Sequence, residues 1–230
     1  MSELLEFENA SALDIALSEK VAGLLGASIA AKGSASLVVS GGRTPMGFFH
    51  LLSQQILDWS KVTVLLADER WVDADHADSN EKLVRENLLI NEASQASYLP
   101  LKNAADQAVD GEAECAQALA ELGTFTVLIL GMGDDGHTAS LFPGSDALAA
   151  GLDMNSGRDC IAVTPLHAPH QRMSLTLPRL LNSQQIVIHI SGAGKQQVLS
   201  QAEAGDDVME LPIRSILQQQ TAPLSIYWAK

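Results

Sequence analysis

The chain has 230 residues, with 14 Lys and Arg against 28 Asp and Glu, a formal net charge of −14. That average field repels a polyanion, so no nucleic-acid partner is expected. With 47% hydrophobic and 18% charged residues the chain is globular rather than disordered, and no stretch approaches the ~18 consecutive apolar residues of a membrane span.

The first ten residues, MSELLEFENA, are acidic and lack the basic start and apolar run of a secretory signal. Residues 11–32 carry a helical pattern, with Ser11 placed to cap it and Asp14 in its first turn. Ser36–Ser40 is a short apolar strand that ends in Gly41-Gly42-Arg43-Thr44-Pro45, and Pro45 suits the first turn of a following helix. Val62–Ala67 is a second strand, ending in Asp68-Glu69-Arg70-Trp71. A helix then opens in DSNEKLVRENLL, where Asp78 and Glu81 have capping-box spacing.

Residues 104–122 read as a helix weakened by Gly111. Phe125–Leu130 is the most apolar strand, and Cys160–Val163 and Ile186–Ile190 are further strands. The last of these leads into Ser191-Gly192-Ala193-Gly194-Lys195 and another helix, and Ile226–Ala229 closes the series. Residues 143–171 are loop-rich. Unbroken apolar strands alternating with helices predict one α/β domain over 1–230, a doubly wound, mostly parallel sheet covered on both faces, Rossmann-like. Ligands bind such sheets at the carboxyl ends of strands. The polar loops 41–45, 68–71, 131–137 and 191–195 should therefore gather on one edge.

The 131–137 loop reads Gly-Met-Gly-Asp-Asp-Gly-His, a literal G-x-G-x-x-G after a strand. Three readings stand beside one another. It is a dinucleotide fingerprint, although two carboxylates would then face a pyrophosphate. It is a strand-to-helix turn that needs glycine. Or it is an active-site turn that presents His137, held by a neighbouring carboxylate. Ser-Gly-Gly-Arg-Thr-Pro offers free backbone N–H groups at Gly41 and Gly42, a hydroxyl at Thr44 and a charge at Arg43, the parts of a phosphate site; an ordinary glycine turn has the same sequence. Ser-Gly-Ala-Gly-Lys is not a Walker loop, because His189 and Gln196 stand at required positions, yet Lys195 can still reach a phosphate.

Other features carry less. His189 lies inside a strand and is expected to be packed and bonded to a neighbour. His167 and His170 have H-x-x-H spacing, but Pro165 and Pro169 argue against a helix that would align them on a metal. Asp-Ala-Asp-His-Ala-Asp lacks the glycine and late glutamate of a calcium loop. No G-x-S-x-G is present, which disfavours a serine hydrolase. Cys115 and Cys160, without CxxC spacing, read as free thiols of a cytoplasmic protein.

Taken in order, SGGRTP, LADERWVDADHADSN, LGMGDDGHTASLFPGS, RMSLTL and ISGAGK resemble the 6-phosphogluconolactonase family across roughly residues 36–200. Glucosamine-6-phosphate deaminases share the fold and similar loops, but there Asp-Gly-His continues toward Asn-Glu-Pro. Here Phe142 occupies the glutamate position, and Asp-Glu-Arg-Trp replaces Asp-Glu-Tyr. Arg43 departs from the serine frequent in lactonases.

The resemblance implies hydrolysis of 6-phospho-D-glucono-1,5-lactone in the oxidative pentose phosphate pathway. A lactone is an activated ester, so a general base suffices and neither metal nor organic cofactor is required. The roles implied are His137 as base, Asp135 as its orienting carboxylate, and Asp68 and Arg70 facing the ring. Arg172 and Lys195, with the Gly41–Thr44 backbone, would hold the 6-phosphate. The partner is thus a small sugar-phosphate lactone, with no nucleic acid, membrane or obligate protein partner. An amino-sugar-phosphate deaminase or isomerase, or a sugar-phosphate sensor without turnover, are the competing functions.

Overall fold

A computed structural model of the chain describes residues 3–230. In chain order its strands are β1 (Glu3–Phe7), β2 (Ala35–Val39), β3 (Val62–Leu66), β4 (Asp68–Arg70), β5 (Ser97–Leu99), β6 (Val127–Leu130), β7 (Cys160–Val163), β8 (Arg172–Leu175), β9 (Ile186–Ser191) and β10 (Leu224–Ala229). Its helices are α1 (Ala10–Lys32), α2 (Met46–Leu52), α3 (Asn80–Asn87), α4 (Ala108–Ala120), α5 (Leu148–Leu152), α6 (Leu177–Leu181), α7 (Ala193–Glu203) and α8 (Arg214–Leu217).

Seven strands form one sheet in the order β1-β10-β9-β6-β2-β3-β5, and every pairing in it is parallel. β2 and β6 meet at the centre. From β2 the chain winds outward through β3 and β5, and from β6 outward through β9 and β10. The β2/β6 junction is therefore the topological switch, where the crossovers leave on opposite faces and a crevice opens at the strands' carboxyl ends. Ser40 spans the opening: its hydroxyl donates to Ile129 O and accepts from Gly131 N, each at 3.3 Å. Fully buried strand residues such as Leu37, Val64, Leu128 and Ile188 explain the unbroken apolar runs.

The sequence did not reveal a second sheet. β4, expected as part of a loop, is a strand, and it pairs antiparallel with β8, which pairs with β7. The chain changes sheets at Ala67, whose N–H still donates to Val39 O while its carbonyl accepts from Leu175 N. β1 and β5 were also not anticipated; both are sheet-edge strands, and short edge strands carry weak patterns.

Two caps differ from expectation. Asn9, not Ser11, caps α1, accepting from Ala12 N at 3.0 Å. Asp14 lies beyond the first turn on the buried face with Leu13 and Leu17. Ser79 caps α3 in place of Asp78, accepting from Lys82 N. The Asp78–Glu81 capping box is absent because the buried Glu69 carboxylate takes the N–H groups of Asn80 and Glu81 instead. Gly111 lies inside α4, where a Cβ would meet Trp71 at 2.4 Å, so the helix takes glycine there for packing.

Candidate active site

β9, β6, β2 and β3 are adjacent in the sheet, so the four polar loops that follow them converge on one edge, as expected. They line a cleft of about 240 Å³ with Gly41, Gly42, Arg43, Thr44, Asp68, Arg70, Gly131, Gly133, His137 and Lys195 among its walls. That is below the ~300–1,000 Å³ of sites for drug-sized ligands, a scale that suits one small substrate.

The 131–137 turn lines the cleft and places His137 in its wall. No helix opens after it, in contrast to the strand-to-helix reading, so a helix N-terminus for a pyrophosphate is missing among the described residues. Gly133 and Gly136 serve packing. A Cβ on Gly133 would sit 2.1 Å from His137 Nδ1, and Gly136, at φ +74, would strike Leu211. The imidazole is held on two sides. Asp135 Oδ1 lies 2.5 Å from His137 Nδ1 and also accepts the His137 N–H at 3.1 Å. Phe142 packs against the ring, centroids 4.5 Å apart. The hydrogen bond from His137 holds the Asp135 carboxyl below its ordinary value. Asp135 is therefore ionised and accepts only, so His137 Nδ1 is the donor of this hydrogen bond. Ala139, two residues on, holds φ +48 at the cleft wall, a region a Cβ-bearing residue adopts at a cost.

Asp68 and Arg70 lie on β4. Asp68 Oδ2 accepts from Ser140 Oγ at 2.5 Å, and Arg70 Nη1 donates to Asp78 O at 2.6 Å. Between them Glu69 is turned inward. Burial raises its carboxyl above the ordinary value, and the N–H groups of Asn80, Glu81 and Arg70 offset part of that rise. Asn80 packs on Gly41, where a Cβ would overlap its amide. Ser140 and Asn80 position Asp68 and the glycine turn, and sequence reasoning missed both. The DSN and TAS stretches that carry them were quoted only as part of a resemblance.

The cations are not equivalent. Arg43 and Lys195 line the cleft, and Lys195 Nζ is paired with Asp134 Oδ1 at 2.6 Å. Arg172 is placed differently from expectation. Strand register sets it across from Arg70, and it is buried rather than part of the cleft wall. Among the described residues its Nη1 has no partner, and burial first, then the Arg70 charge, lowers its pKa. His189 is packed, as expected, but makes no hydrogen bond among the described residues; Asp14 Oδ1 stands 3.7 Å from its Nε2.

A basic-lined crevice at the switch point of a doubly wound sheet, with a carboxylate-held imidazole in its wall, defines a small-molecule enzyme of the α/β class. The chain belongs to the glucosamine-6-phosphate isomerase/6-phosphogluconolactonase family, whose profile matches residues 8–228. It is 47% identical to a 6-phosphogluconolactonase of Rhizobium meliloti, over 97% of each chain. A crystal structure of a 6-phosphogluconolactonase from Shewanella baltica is 44% identical, with a TM-score of 0.98 over 100% of this chain and 98% of that one. A monomeric glucosamine-6-phosphate deaminase shares the fold at 16% identity, with a TM-score of 0.82 over 99% and 97% of the two chains.

Proposed function

We propose that this chain hydrolyses 6-phospho-D-glucono-1,5-lactone to 6-phospho-D-gluconate in the oxidative pentose phosphate pathway. Relatives of 47% and 46% identity that carry the lactonase name support the reading. The observation that carries the mechanism is the His137 imidazole, fixed by Asp135 at the wall of a cleft that also holds Arg43, Arg70 and Lys195.

Nε2 of His137 removes a proton from water as the water oxygen attacks C1. The carbonyl becomes an oxyanion, stabilised by Arg70 or a backbone N–H. Collapse breaks the bond between C1 and the ring oxygen, which takes the proton back from the imidazolium. Asp135 keeps the imidazole in the required tautomer. Asp68 faces the sugar hydroxyls with the oxygen that Ser140 leaves free.

Arg43, Lys195 and the Gly41–Thr44 backbone hold the 6-phosphate, and that anchor brings C1 to the base. Arg172 adds positive charge behind Arg70. Phe142 against the imidazole leaves an apolar side chain where the deaminases place a glutamate, so proton traffic falls to His137. One domain over 1–230 and a cytoplasmic location belong to the same reading. A single continuous core and two buried free cysteines support them.

The test is lactone hydrolysis measured above its spontaneous background, for the wild type and His137→Ala. Ammonia release from glucosamine 6-phosphate without lactone hydrolysis would establish a deaminase. Tight sugar-phosphate binding without turnover would establish a sensor.

A further inference from the structure

We propose a second site, outside the cleft: His76, Asp78 and His170 form a surface site for one divalent ion of the zinc, cobalt or nickel class. Two loops build it, one after β4 and one before β8. The β4–β8 ladder sets Arg70 opposite Arg172, and Trp71 N donates to Gln171 O at 2.7 Å, so the loops leave the ladder side by side. His170 is thereby brought to His76, not to His167, the partner its H-x-x-H spacing suggested.

The His76 and His170 rings meet edge to face with centroids 5.3 Å apart. Asp78 Oδ2 lies 3.0 Å from His170 Nε2 and 3.9 Å from His76 Nδ1, and three donor atoms of the cluster fall within 4.8 Å of one another. A tetrahedral ion with bonds of ~2.0–2.1 Å needs donors about 3.3 Å apart. The observed spacings bracket that value, and small side-chain rotations close the set. His76 and Asp78 are exposed and His170 is half-buried, so an ion has free access.

Two further features fit a ligand role. His76 Nδ1 accepts the Asp78 N–H at 3.0 Å, which turns its lone pair toward Asp78; a metal bond would replace that hydrogen bond. His170 holds φ +67, a conformation unfavourable for a residue with a Cβ, and from it the ring reaches Asp78. Two imidazoles and one carboxylate suit zinc-class ions and discriminate against magnesium and calcium, which prefer all-oxygen sets. None of the three residues lines the cleft. The Asp78 carbonyl nevertheless holds the Arg70 guanidinium, which does line it, so the ion would sit next to the proposed ring-facing arginine. The site itself does not depend on the proposed activity.

The experiment is calorimetric titration of chelator-treated protein with zinc, alongside cobalt followed by its visible absorption. One saturable equivalent per chain is expected. His170→Asn and His76→Gln should each weaken it by more than the about 10–100-fold that loss of an outer-shell partner costs. Asn tolerates positive φ, so His170→Asn keeps the loop and decides the matter alone if His76→Gln fails to fold. His137→Ala should leave zinc binding intact. The proposal is overturned by no saturable uptake at millimolar zinc, by affinity unchanged in His170→Asn, by magnesium binding as tightly as zinc, or by loss of binding in His137→Ala.

Discussion

His137 and His189 both line the cleft, and each stands beside an aspartate. At His137 the carboxylate is half exposed, the contact is a 2.5 Å hydrogen bond, and Asp135 is held below its ordinary pKa. At His189 the partners are buried and 3.7 Å apart. Burial pushes Asp14 up to about 6, partly opposed by a hydrogen bond from the Phe48 N–H, and pulls His189 down to about 4. Between those values the inner pair is uncharged on both members. The outer pair keeps an ionised carboxylate hydrogen-bonded to the imidazole. The same two residue types thus make either an oriented hydrogen-bonded pair or packing material, and solvation decides which.

The comparison breaks most visibly in turnover. His137→Ala should lower kcat by ~10²–10⁴, the usual worth of general-base assistance, while His189→Asn stays within a few-fold. Equal losses would shift the chemistry to the inner pair. Gly133→Ala should push the imidazole off Asp135. A misplacement of about 1 Å costs roughly 10²-fold, so kcat should fall on that scale with little change in thermal midpoint.

A smaller effect is expected at Asp134, which neighbours Asp135 but pairs with Lys195. Asp134→Asn frees the lysine for phosphate and should lower KM by a few-fold at low salt, consistent with the ~0.2–1 kcal/mol of an exposed ion pair. A raised KM would show that Asp134 positions Lys195 rather than competing for it.

The smallest effect is in stability. The raised pKa of Asp14 stabilises the fold below its ordinary value of 3.8, and that gain is lost as pH rises through about 6. The lowered pKa of His189 does the reverse. Its contribution is complete above 6.5 and is lost as pH falls through about 4. From pH 4 to 6 the two slopes oppose each other. Asp14→Asn removes one, so the variant should lose stability on acidification from pH 6.5 to 4 more steeply than the wild type. Urea midpoints across that range measure it, and parallel curves would refute the buried pair's titration.

Much of the architecture was legible because each buried parallel strand is an unbroken apolar run, and its carboxyl end is marked by glycine and charge. Those local patterns yielded the doubly wound sheet, the four converging loops and His137. Caps were less legible: Ser11 and Asp78 have the right chemistry, but Asn9 takes the first role, and Ser79 with the distant Glu69 takes the second.

By itself, then, the sequence determined the sheet, the edge where its loops converge and the family, since burial periodicity and motif order are written along the chain. Tertiary structure alone decided which partners meet. It turned Asp-Glu-Arg into a strand, put Arg172 behind Arg70, buried Asp14 against His189 and brought His170 to His76. Those outcomes depend on strand pairing and on exclusion of water between distant segments, and neither is encoded by the spacing of neighbouring residues.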